Sequence, residues 1–318
     1  MSLVYQLVLR VYNYISQQKE EVGAMHAFLR AIGFTQATQS EYEVEKLLDD
    51  VFQNYQRREA VKSEDGKKAF LELTKIYGPE IGIKVCGELD QYGFHRQYYI
   101  PFLNGSGVTT SEDLSVDRRA NGDSYVGVCD DGRVGISLIF YVQNPADYSR
   151  KNLFGTLKGI RATTTFSGLS LNGMILLPVV KKEKYEEEQT EYFRKRNSMV
   201  SAAKNGNQEA IENLTLEDMD IYTMLSRRVM NEDVLTIVDT FFMPYGMECD
   251  QYQIMGTINF YTRVFNEYTK EALYQMNIEC NGMFFDICIN RKDLLGDPEV
   301  GRRFKGSIWL QGRINFPD

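Results

Sequence analysis

Apolar positions at helical spacing follow Ser40. Between residues 44 and 55 they recur at intervals of three and four, whereas acidic and amide side chains fall on the opposite side. This pattern predicts an amphipathic helix that covers a sheet. Ser40 and Glu43 stand at the spacing of a capping box, which places the start of the helix at Ser40. A shorter helical pattern precedes it and ends at Gly33, a residue suited to closing a helix.

The pattern changes to a period of two between about residues 60 and 180. Short runs rich in β-branched and aromatic residues, such as EIGIKVCGEL and RVGISLIFYVQ, alternate with turn residues such as Gly78-Pro79 and Asn104-Gly105. Strands joined by short connections pair with their neighbours in an antiparallel meander. The sequence therefore predicts an N-terminal α+β domain over residues 25–180, with helices followed by an antiparallel sheet.

A charged stretch, KKEKYEEEQTEYFRK, begins at Lys181 and interrupts the strand pattern. Its opposite charges at helical spacing predict a solvated helix, and we interpret residues 181–230 as a helical connector. Alternating runs return after it, and Asn281-Gly282 between two of them is a strong signal for a two-residue hairpin. Residues 231–318 are accordingly predicted to form a second antiparallel, β-rich domain. Whether the two β regions share one core stays open.

The first 24 residues allow two interpretations. Apolar residues from Val4 to Ile15 recur at helical spacing, which favours an amphipathic helix on the protein body, a membrane surface or a partner. Alternatively, Lys19-Glu20-Glu21-Val22 corresponds to a purine-rich, ribosome-binding codon series shortly before Met25. Under that hypothesis residues 1–24 are upstream DNA translated in frame, and N-terminal sequencing of the native protein is the deciding test.

Composition narrows the function classes. The chain has 44 Asp and Glu against 36 Lys and Arg, a net charge of −8. A general nucleic-acid coat protein needs a basic surplus, so nucleic acid is not expected as a partner. Two histidines exclude a multi-histidine metal site, and no dinucleotide-binding, P-loop, nucleophile-elbow or zincin motif occurs, so no metal or cofactor is predicted. We find no secretory signal and no membrane span, and expect a cytoplasmic protein.

The five cysteines are odd in number, widely spaced and set mostly in apolar, strand-like runs. The run IECNGMFFDICI, which contains two of them, is typical of buried strands. A disulfide framework would need an even and dense set of cysteines. We therefore expect reduced, buried thiols at Cys86, Cys129, Cys249, Cys280 and Cys288.

Glu248-Cys249-Asp250 is one candidate for chemistry. In a strand, Glu248 and Asp250 share a face, and paired carboxylates can exchange protons or hold a hard cation. Cys249 would need a nearby base to act as a nucleophile, and the chain has only two histidines. The alternative is a turn, broken by the preceding proline and glycine, whose acidic side chains face water.

The densest basic cluster is the run GRRFKG over residues 301–306. Its Arg302, Arg303 and Lys305, with an interleaved aromatic ring, suit a phosphate, another small anion or a nucleic-acid backbone. The alternative is an edge strand whose charges prevent aggregation. The sequence alone does not separate these two interpretations.

Tyr98 and Tyr99 stand side by side in a predicted strand, in a chain with 20 tyrosines and 18 phenylalanines. Neighbouring strand residues point to opposite faces, so one of the two rings is expected to be exposed. Tyrosine is common in protein interfaces, which makes the pair a candidate contact surface. Ordinary packing is the alternative.

Three stretches, MHAFLRAIGF, EDVLTIVDTFFMPYGMECDQYQIMG and DLLGDPEVGRRFKGSIWLQGRINF, resemble an uncharacterised family of Clostridia-type Gram-positive gut bacteria, described as a domain of unknown function. The resemblance covers residues 25–318 and makes Met25 look like the family's own start. It implies a cytoplasmic bacterial setting, and it implies no activity, cofactor or catalytic residue.

Two functions are consistent with the sequence. The first is a non-catalytic cytoplasmic binding or assembly protein that uses an aromatic-rich β surface, with an unknown protein or small molecule as its partner. The second is an enzyme or sensor for a small anionic molecule, with a site near Glu248/Asp250 and Arg302/Arg303. Convergence of these four side chains on one pocket would favour the second function. The sequence does not indicate an oligomeric state.

Overall fold

A computed structural model describes residues 27–63, 66–118, 124–153, 162–178, 195, 198–199, 201–203, 206–216, 219, 238–246 and 249–317. The N-terminal segment 1–24 lies outside the described residues, so both interpretations of it stay predictions. Most of the predicted connector 181–230 also lies outside them. Within the connector, residues 208–216 are helical.

Strands dominate the structure, so the predicted α+β class fits only in outline. Helix α1 spans Glu41–Gln53 and α2 spans Pro145–Leu153, and short 3₁₀ turns occupy Leu29–Ile32, Ala37–Gln39 and Arg291–Asp293. The strands are β1 Arg57–Lys62, β2 Ala69–Gly78, β3 Ile81–Asp90, β4 Gly93–Leu103, β5 Leu114–Arg118, β6 Tyr125–Asp131, β7 Ile136–Val142, β8 Thr163–Leu176, β9 Phe241–Pro244, β10 Gln251–Phe265, β11 Ala272–Cys280, β12 Met283–Asn290, β13 Leu294–Leu295 and β14 Arg303–Asn315.

Strands β1 to β4 form a four-stranded antiparallel meander, as the alternating pattern predicts. Helix α1 covers one face of this first sheet and begins after Ser40, as predicted, although the Ser40 side chain makes no capping hydrogen bond. The Asp50 carboxylate on α1 accepts hydrogen bonds from Lys75 Nζ and Tyr77 Oη on β2. These bonds fix the helix to the odd-numbered face of β2 and leave the even-numbered face to other contacts.

The second sheet contains the ten strands β5 to β14. Five of them, β8, β12, β11, β10 and β14, close on themselves because β14 also pairs with β8 along its whole length. Strand β8 is parallel to β12 and β13, and β14 is parallel to β7. Where strands adjacent in sequence pair, they are antiparallel, as predicted, whereas the three parallel pairs join strands that are far apart in the chain.

The closed part of this sheet joins strands from both predicted β regions. Strand β8 belongs to 25–180, whereas β10, β11, β12 and β14 belong to 231–318. Their apolar side chains lie in one core, where Phe166 belongs to the same cluster as Phe285 and Phe304. The two β regions thus share a core, and the domain limits themselves stay a prediction.

The hairpin at Asn281-Gly282 forms as predicted. Strand β11 ends at Cys280 and β12 begins at Met283. Both turn residues have a positive φ, 52° for Asn281 and 76° for Gly282. Two left-handed residues match the right-handed twist of the flanking strands, and Asn-Gly adopts this conformation at low cost.

Four of the five cysteines are buried free thiols, as predicted: Cys86, Cys129, Cys280 and Cys288. Burial raises the pKa of all four, that of Cys129 to about 12. Cys249 is a free thiol but is exposed, so the prediction of burial is wrong for this residue. The reason is that Cys249 lies in the turn before β10 and not in a strand.

The two sheets contact each other around Trp309 on β14. Its ring centroid lies 5.1 Å from those of Phe28 and Tyr141. Beside this ring, Gln143 donates a hydrogen bond to the carbonyl of Leu103, and Gln311 donates one to the carbonyl of Pro101. These bonds tie β4, the last strand of the first sheet, to the second sheet, and a cavity lies next to this contact.

Candidate ligand pocket between the two sheets

Of the predicted acidic site, Cys249 and Asp250 lie among the described residues. Glu248 lies outside the described residues, and Cys249 is exposed in a turn. Asp250 is buried, and its Oδ2 accepts a hydrogen bond of 3.0 Å from Trp309 Nε1. The indole of Trp309 is buried between the two sheets, so Asp250 satisfies its only polar atom.

The predicted basic cluster lies at the other end of the same strand pair. Thr257 of β10 is opposite Arg303, whereas Gln251 is opposite Trp309, so Arg303 is about 20 Å from the surroundings of Asp250. Arg303 is buried, and it donates to the carbonyls of Leu177 and Val238 at 3.0 and 2.9 Å. Burial lowers its pKa.

Arg302 and Lys305, the other two basic residues of the cluster, do not share the partners of Arg303. Arg302 forms an ion pair of 2.7 Å with Glu299, and Lys305 is half-buried on β14. The structure therefore does not bring Asp250 together with Arg302 and Arg303. Ligand binding at either place stays a prediction.

Tyr98 and Tyr99 are both buried, so the expectation of one exposed ring is wrong. Tyr99 is opposite Val85, on the face of the first sheet that α1 covers, and Tyr98 is opposite Cys86, on the other face. Both faces are covered because α1 packs on one and the second sheet on the other. An alternating strand pattern cannot distinguish this arrangement from a sheet with one face in water.

A cavity of about 520 Å³ lies between the first sheet, α2 and the end of β14. Its wall on the first sheet is the even-numbered face of β2, where Glu72 and Thr74 point away from α1. Lys84 on β3 is directly opposite Thr74, and Phe102 on β4 completes this buried end. Strand alternation thus places polar side chains of two neighbouring strands at the bottom of one pocket.

A buried ion pair occupies the bottom of the pocket. Lys84 Nζ lies 2.6 Å from Glu72 Oε1 and 2.7 Å from the carbonyl oxygen of Gln143, and 5.5 Å from the ring centroid of Phe102. The side chains of Glu72 and Lys84 are only 4% and 13% exposed. The pair is electrically neutral, so it adds no net charge to the pocket.

Two buried oxygen atoms at the same place have no hydrogen-bond partner. They are Glu72 Oε2 and Thr74 Oγ1, and neither has a partner among the described residues. A buried polar atom without a partner costs about 1–3 kcal/mol, so proteins rarely leave one unless water or a ligand completes it. Both oxygens are enclosed, with almost no surface open to the cavity, although their side chains belong to its lining.

Basic side chains surround the open end. Arg150 on α2 forms ion pairs with Glu59 at 2.7 Å and with Asp147 at 3.1 Å, and the bond with Glu59 raises its pKa. Arg57 and Arg313 are exposed at the rim, and within the described part of the chain neither forms an ion pair with a carboxylate. Two guanidinium groups are thus available at the entrance.

The pocket has a positive charge balance. Five of its lining residues are cationic, namely Arg57, Lys84, Arg150, Lys151 and Arg313, and three are anionic, namely Glu59, Glu72 and Asp147. The difference is +2 (5 − 3), in a chain whose net charge is −8. A pocket of this sign and size suits a small anionic molecule.

Sequence reasoning missed this pocket because its charged residues are scattered along the chain. They come from β1, β2, β3, α2 and β14, whereas a sequence motif consists of charges that are adjacent in the chain. One signal was present: Glu72 and Thr74 alternate with Leu71 and Leu73 in β2. That alternation predicts a polar face on β2. By itself, a polar face predicts a side of the sheet that is exposed to solvent and not one that lines a pocket.

Comparison with known proteins identifies the family. A family model described as "Domain of unknown function, E. rectale Gene description (DUF3881)" matches residues 29–312. The chain belongs to this family. The resemblance predicted from three sequence stretches is thereby confirmed, and the DUF3881 description names no activity. No curated protein and no solved structure matches the chain.

Two features are absent from the described part of the chain. None of the helices in that part of the chain is both long and apolar enough to cross a membrane. In the same residues, no group of three or more His, Cys, Asp or Glu side chains is arranged to hold a metal ion.

Proposed function

We propose that this protein is a cytoplasmic binding protein that takes a small anionic molecule into the pocket between its two sheets. The observation that carries the proposal is the pair of exposed guanidinium groups, Arg57 and Arg313, at the rim of a cavity with a +2 charge balance. A guanidinium group holds a phosphate or carboxylate through two parallel hydrogen bonds, which gives both affinity and orientation.

The second function predicted from the sequence also had a small anionic ligand. We now place that ligand in the pocket between the two sheets and not near Asp250 and Arg303. The carboxylate of Asp250 and the guanidinium of Arg303 each have a protein partner, Trp309 for the first and backbone carbonyls for the second. Arg57 and Arg313 have no such carboxylate partner among the described residues, so their charge is available to a ligand. Pocket volume and charge balance both support the new location.

Differential scanning fluorimetry with a panel of anions tests the proposal. The panel contains inorganic phosphate, pyrophosphate, citrate and nucleoside monophosphates at millimolar concentration. A ligand at about 100 times its Kd adds about 2.7 kcal/mol to the free energy of unfolding, which raises Tm by about 4 °C for a chain of this length. The double variant Arg57→Ala/Arg313→Ala should lose this shift and keep the Tm of the free protein, since both side chains are exposed.

Arg302→Ala is the matched control, because this arginine belongs to the predicted basic cluster and lies outside the pocket. It should leave the shift unchanged. Loss of the shift in Arg302→Ala alone would place the ligand at the cluster and overturn the pocket proposal. Absence of any shift in the wild type would overturn it as well.

We propose as a second function that two copies of the chain assemble through β10. Residues 260–265 of β10 pair with β11, whereas the pairing of β10 with β14 ends at Thr257, and no other described strand covers that edge. Phe260, Tyr261 and Phe265 are exposed there, Phe260 to 52%. An unpaired strand edge with aromatic side chains favours addition of another strand.

A second copy fits this edge by its own symmetry. In an antiparallel pair centred on Thr262, Tyr261 of each copy is directly opposite Arg263 of the other, which allows two cation–π contacts. This surface replaces Tyr98 and Tyr99 as the aromatic β surface predicted from the sequence.

Sedimentation velocity measures the assembly directly. The wild type should sediment as a dimer at micromolar concentration, and Tyr261→Lys should be monomeric, because it places like charges opposite each other. Tyr92→Lys, at an exposed tyrosine in the turn between β3 and β4, is the matched control and should remain dimeric. A monomeric wild type contradicts the proposal.

A further inference from the structure

The acidic residues of the pocket lining are all bonded within the protein. Glu72 forms its ion pair with Lys84 at 2.6 Å. Arg150 forms the other two ion pairs, with Glu59 at 2.7 Å and with Asp147 at 3.1 Å. The three carboxylates thus engage only two of the five cations in the lining, so the positive surplus of the pocket comes from the other three.

Two of these three cations line the pocket from different sheets. Arg57 on β1 is directly opposite Thr74, so its side chain is on the face of the first sheet that lines the cavity. Arg313 lies near the end of β14 in the second sheet, and its Nε donates at 3.4 Å to the amide oxygen of Asn315, which does not compensate its charge. Neither guanidinium group forms an ion pair with a carboxylate of the described residues. An anion held by both groups would therefore connect the two sheets.

The charge balance determines which anion gains most from this arrangement. A monovalent anion leaves part of the surplus uncompensated, whereas a divalent anion cancels it and accepts hydrogen bonds from both guanidinium groups. The enclosed oxygens of Glu72 and Thr74 take no part in this interaction. Apolar surface for the body of a ligand comes from Ile76 and Phe316, which are half-buried in the lining.

We propose that the pocket selects a divalent anion, which binds between Arg57 on the first sheet and Arg313 on the second. This inference rests on the proposed anion-binding function and adds the charge of the ligand and the way in which it connects the sheets. Phosphate monoesters and dicarboxylates both carry two negative charges in neutral to slightly basic solution. The second negative charge is the chemistry that they share, and the experiment separates the two classes.

Isothermal titration calorimetry at about pH 8, where a phosphate monoester is divalent, tests the inference with two matched pairs of compounds. Phenyl phosphate is divalent, and phenyl sulfate is its monovalent analogue of nearly the same shape. Glutarate is divalent, and its monoamide is monovalent. In at least one pair the divalent member should bind about 5-fold more tightly or better, because the additional charge adds Coulomb attraction near the protein surface. The pair with the larger ratio identifies the class of ligand.

The variants Arg57→Gln and Arg313→Gln, each alone, should reduce this preference to about 2-fold or less, because each removes one of the two groups that share the ligand. Arg58→Gln is the matched control and should leave the preference unchanged. It removes an exposed arginine from the same strand, but Arg58 is opposite Leu73, on the face that α1 covers. A preference that survives intact in Arg57→Gln or in Arg313→Gln overturns the inference.

Glu59→Gln tests the same point through a gain in affinity, which partial unfolding cannot imitate. It removes one of the two carboxylates bonded to Arg150 and changes the charge balance of the lining from +2 to +3 (5 − 2). Affinity for the divalent compound should rise about 3-fold or more. Unchanged or lower affinity contradicts the inference.

The outcomes also distinguish this inference from the proposed function beneath it. If the monovalent compounds bind as tightly as the divalent ones, the anion site stands and selection of a divalent ligand is wrong. If none of the compounds binds and the anion panel also produces no shift in Tm, the proposed function itself is wrong.

Discussion

Two buried ion pairs of this protein look alike and differ in one respect. Asp131 and Arg133, at the turn between β6 and β7, and Glu72 and Lys84, on β2 and β3, each place a carboxylate that is almost fully buried beside a cation. Both oxygens of Asp131 are bonded to Arg133, which also donates to the carbonyls of Gly282 and Thr109. Glu72 has one bonded oxygen and one without a described partner.

The difference separates a structural pair from a candidate binding site. Arg133 connects three parts of the chain, and its hydrogen bonds to them leave no polar group of Asp131 unsatisfied. At Glu72 one carboxylate oxygen has no partner among the described residues, and this side chain belongs to the lining of a cavity. Completeness of hydrogen bonding, rather than the presence of a buried charge, therefore points to function.

The largest expected effect is that of Arg133→Met. It leaves the buried Asp131 carboxylate without its partner and removes the bonds to Gly282 and Thr109, so the free energy of unfolding should fall by about 3–5 kcal/mol. Chemical denaturation monitored by tryptophan fluorescence measures this, since Trp309 lies between the sheets. A loss below about 1 kcal/mol would show that Asp131 and Arg133 are not a structural pair.

Lys84→Met should cost slightly less, about 3 kcal/mol, since it leaves Glu72 buried without a cation. In the double variant Glu72→Met/Lys84→Met about half or more of that loss should return, because no buried charge remains. The corresponding Asp131→Met/Arg133→Met variant should recover less, because it leaves two carbonyls, those of Gly282 and Thr109, without their donor, whereas the Glu72/Lys84 variant leaves one, that of Gln143. If the free energy of unfolding recovers equally in the two double variants, the two ion pairs do not differ in the way described above.

Acid should reveal the Asp131 pair through the pH dependence of stability. Burial raises the pKa of Asp131, but the hydrogen bonds and charge of Arg133 outweigh it, so the pKa lies below 3.8. A carboxyl group with a lowered pKa stabilises the folded state above its unfolded pKa, and this contribution is lost as the pH falls through the folded value. The gap in unfolding free energy between wild type and Arg133→Met should therefore narrow from pH 7 towards about pH 3. A gap independent of pH contradicts this.

Thr109 and Thr74 are the most closely matched pair of residues, and their variants are expected to have the smallest effects on the free energy of unfolding. Thr109 Oγ1 accepts a hydrogen bond of 2.9 Å from the backbone N–H of Phe166, whereas Thr74 Oγ1 has no described partner. Thr109→Val should lower the free energy of unfolding by about 1–3 kcal/mol, whereas Thr74→Val should not lower it, because it replaces a buried hydroxyl without a partner by an apolar group. Denaturant titration of both variants checks this, and a larger loss for Thr74→Val would mean that its hydroxyl is bonded in solution.

Elements whose signals are local could be predicted from the sequence. The helix after Ser40, the meander of β1 to β4 and the Asn281-Gly282 hairpin formed where the pattern placed them. Cys249 was the exception among the cysteines, because a turn interrupts the strand pattern there. The pairing of β8 with β12 and β14 could not be predicted, since no periodicity specifies which distant strands meet.

The candidate site residues were chosen because charged or aromatic residues adjoin them in the sequence, and their surroundings in the structure differ from those expected. Asp250 is bonded to Trp309, and Arg303, about 20 Å away along β14, is bonded to the carbonyls of Leu177 and Val238. Tyr98 and Tyr99 are both buried. Adjacent charges suggested sites, but tertiary contacts supplied partners for them. The pocket instead collects single charges that no sequence window brings together.

By itself, the sequence determined which segments become helix, strand and turn, because periodicity, capping and turn chemistry act over a few residues. It also determined the family, through stretches spread over most of the chain. Only the tertiary structure decided that both faces of the first sheet are covered and that Glu72 lies at the bottom of a cavity. Burial, unlike periodicity, depends on what packs against a face, and here the covering groups come from α2 and β14, up to about 240 residues away in the chain.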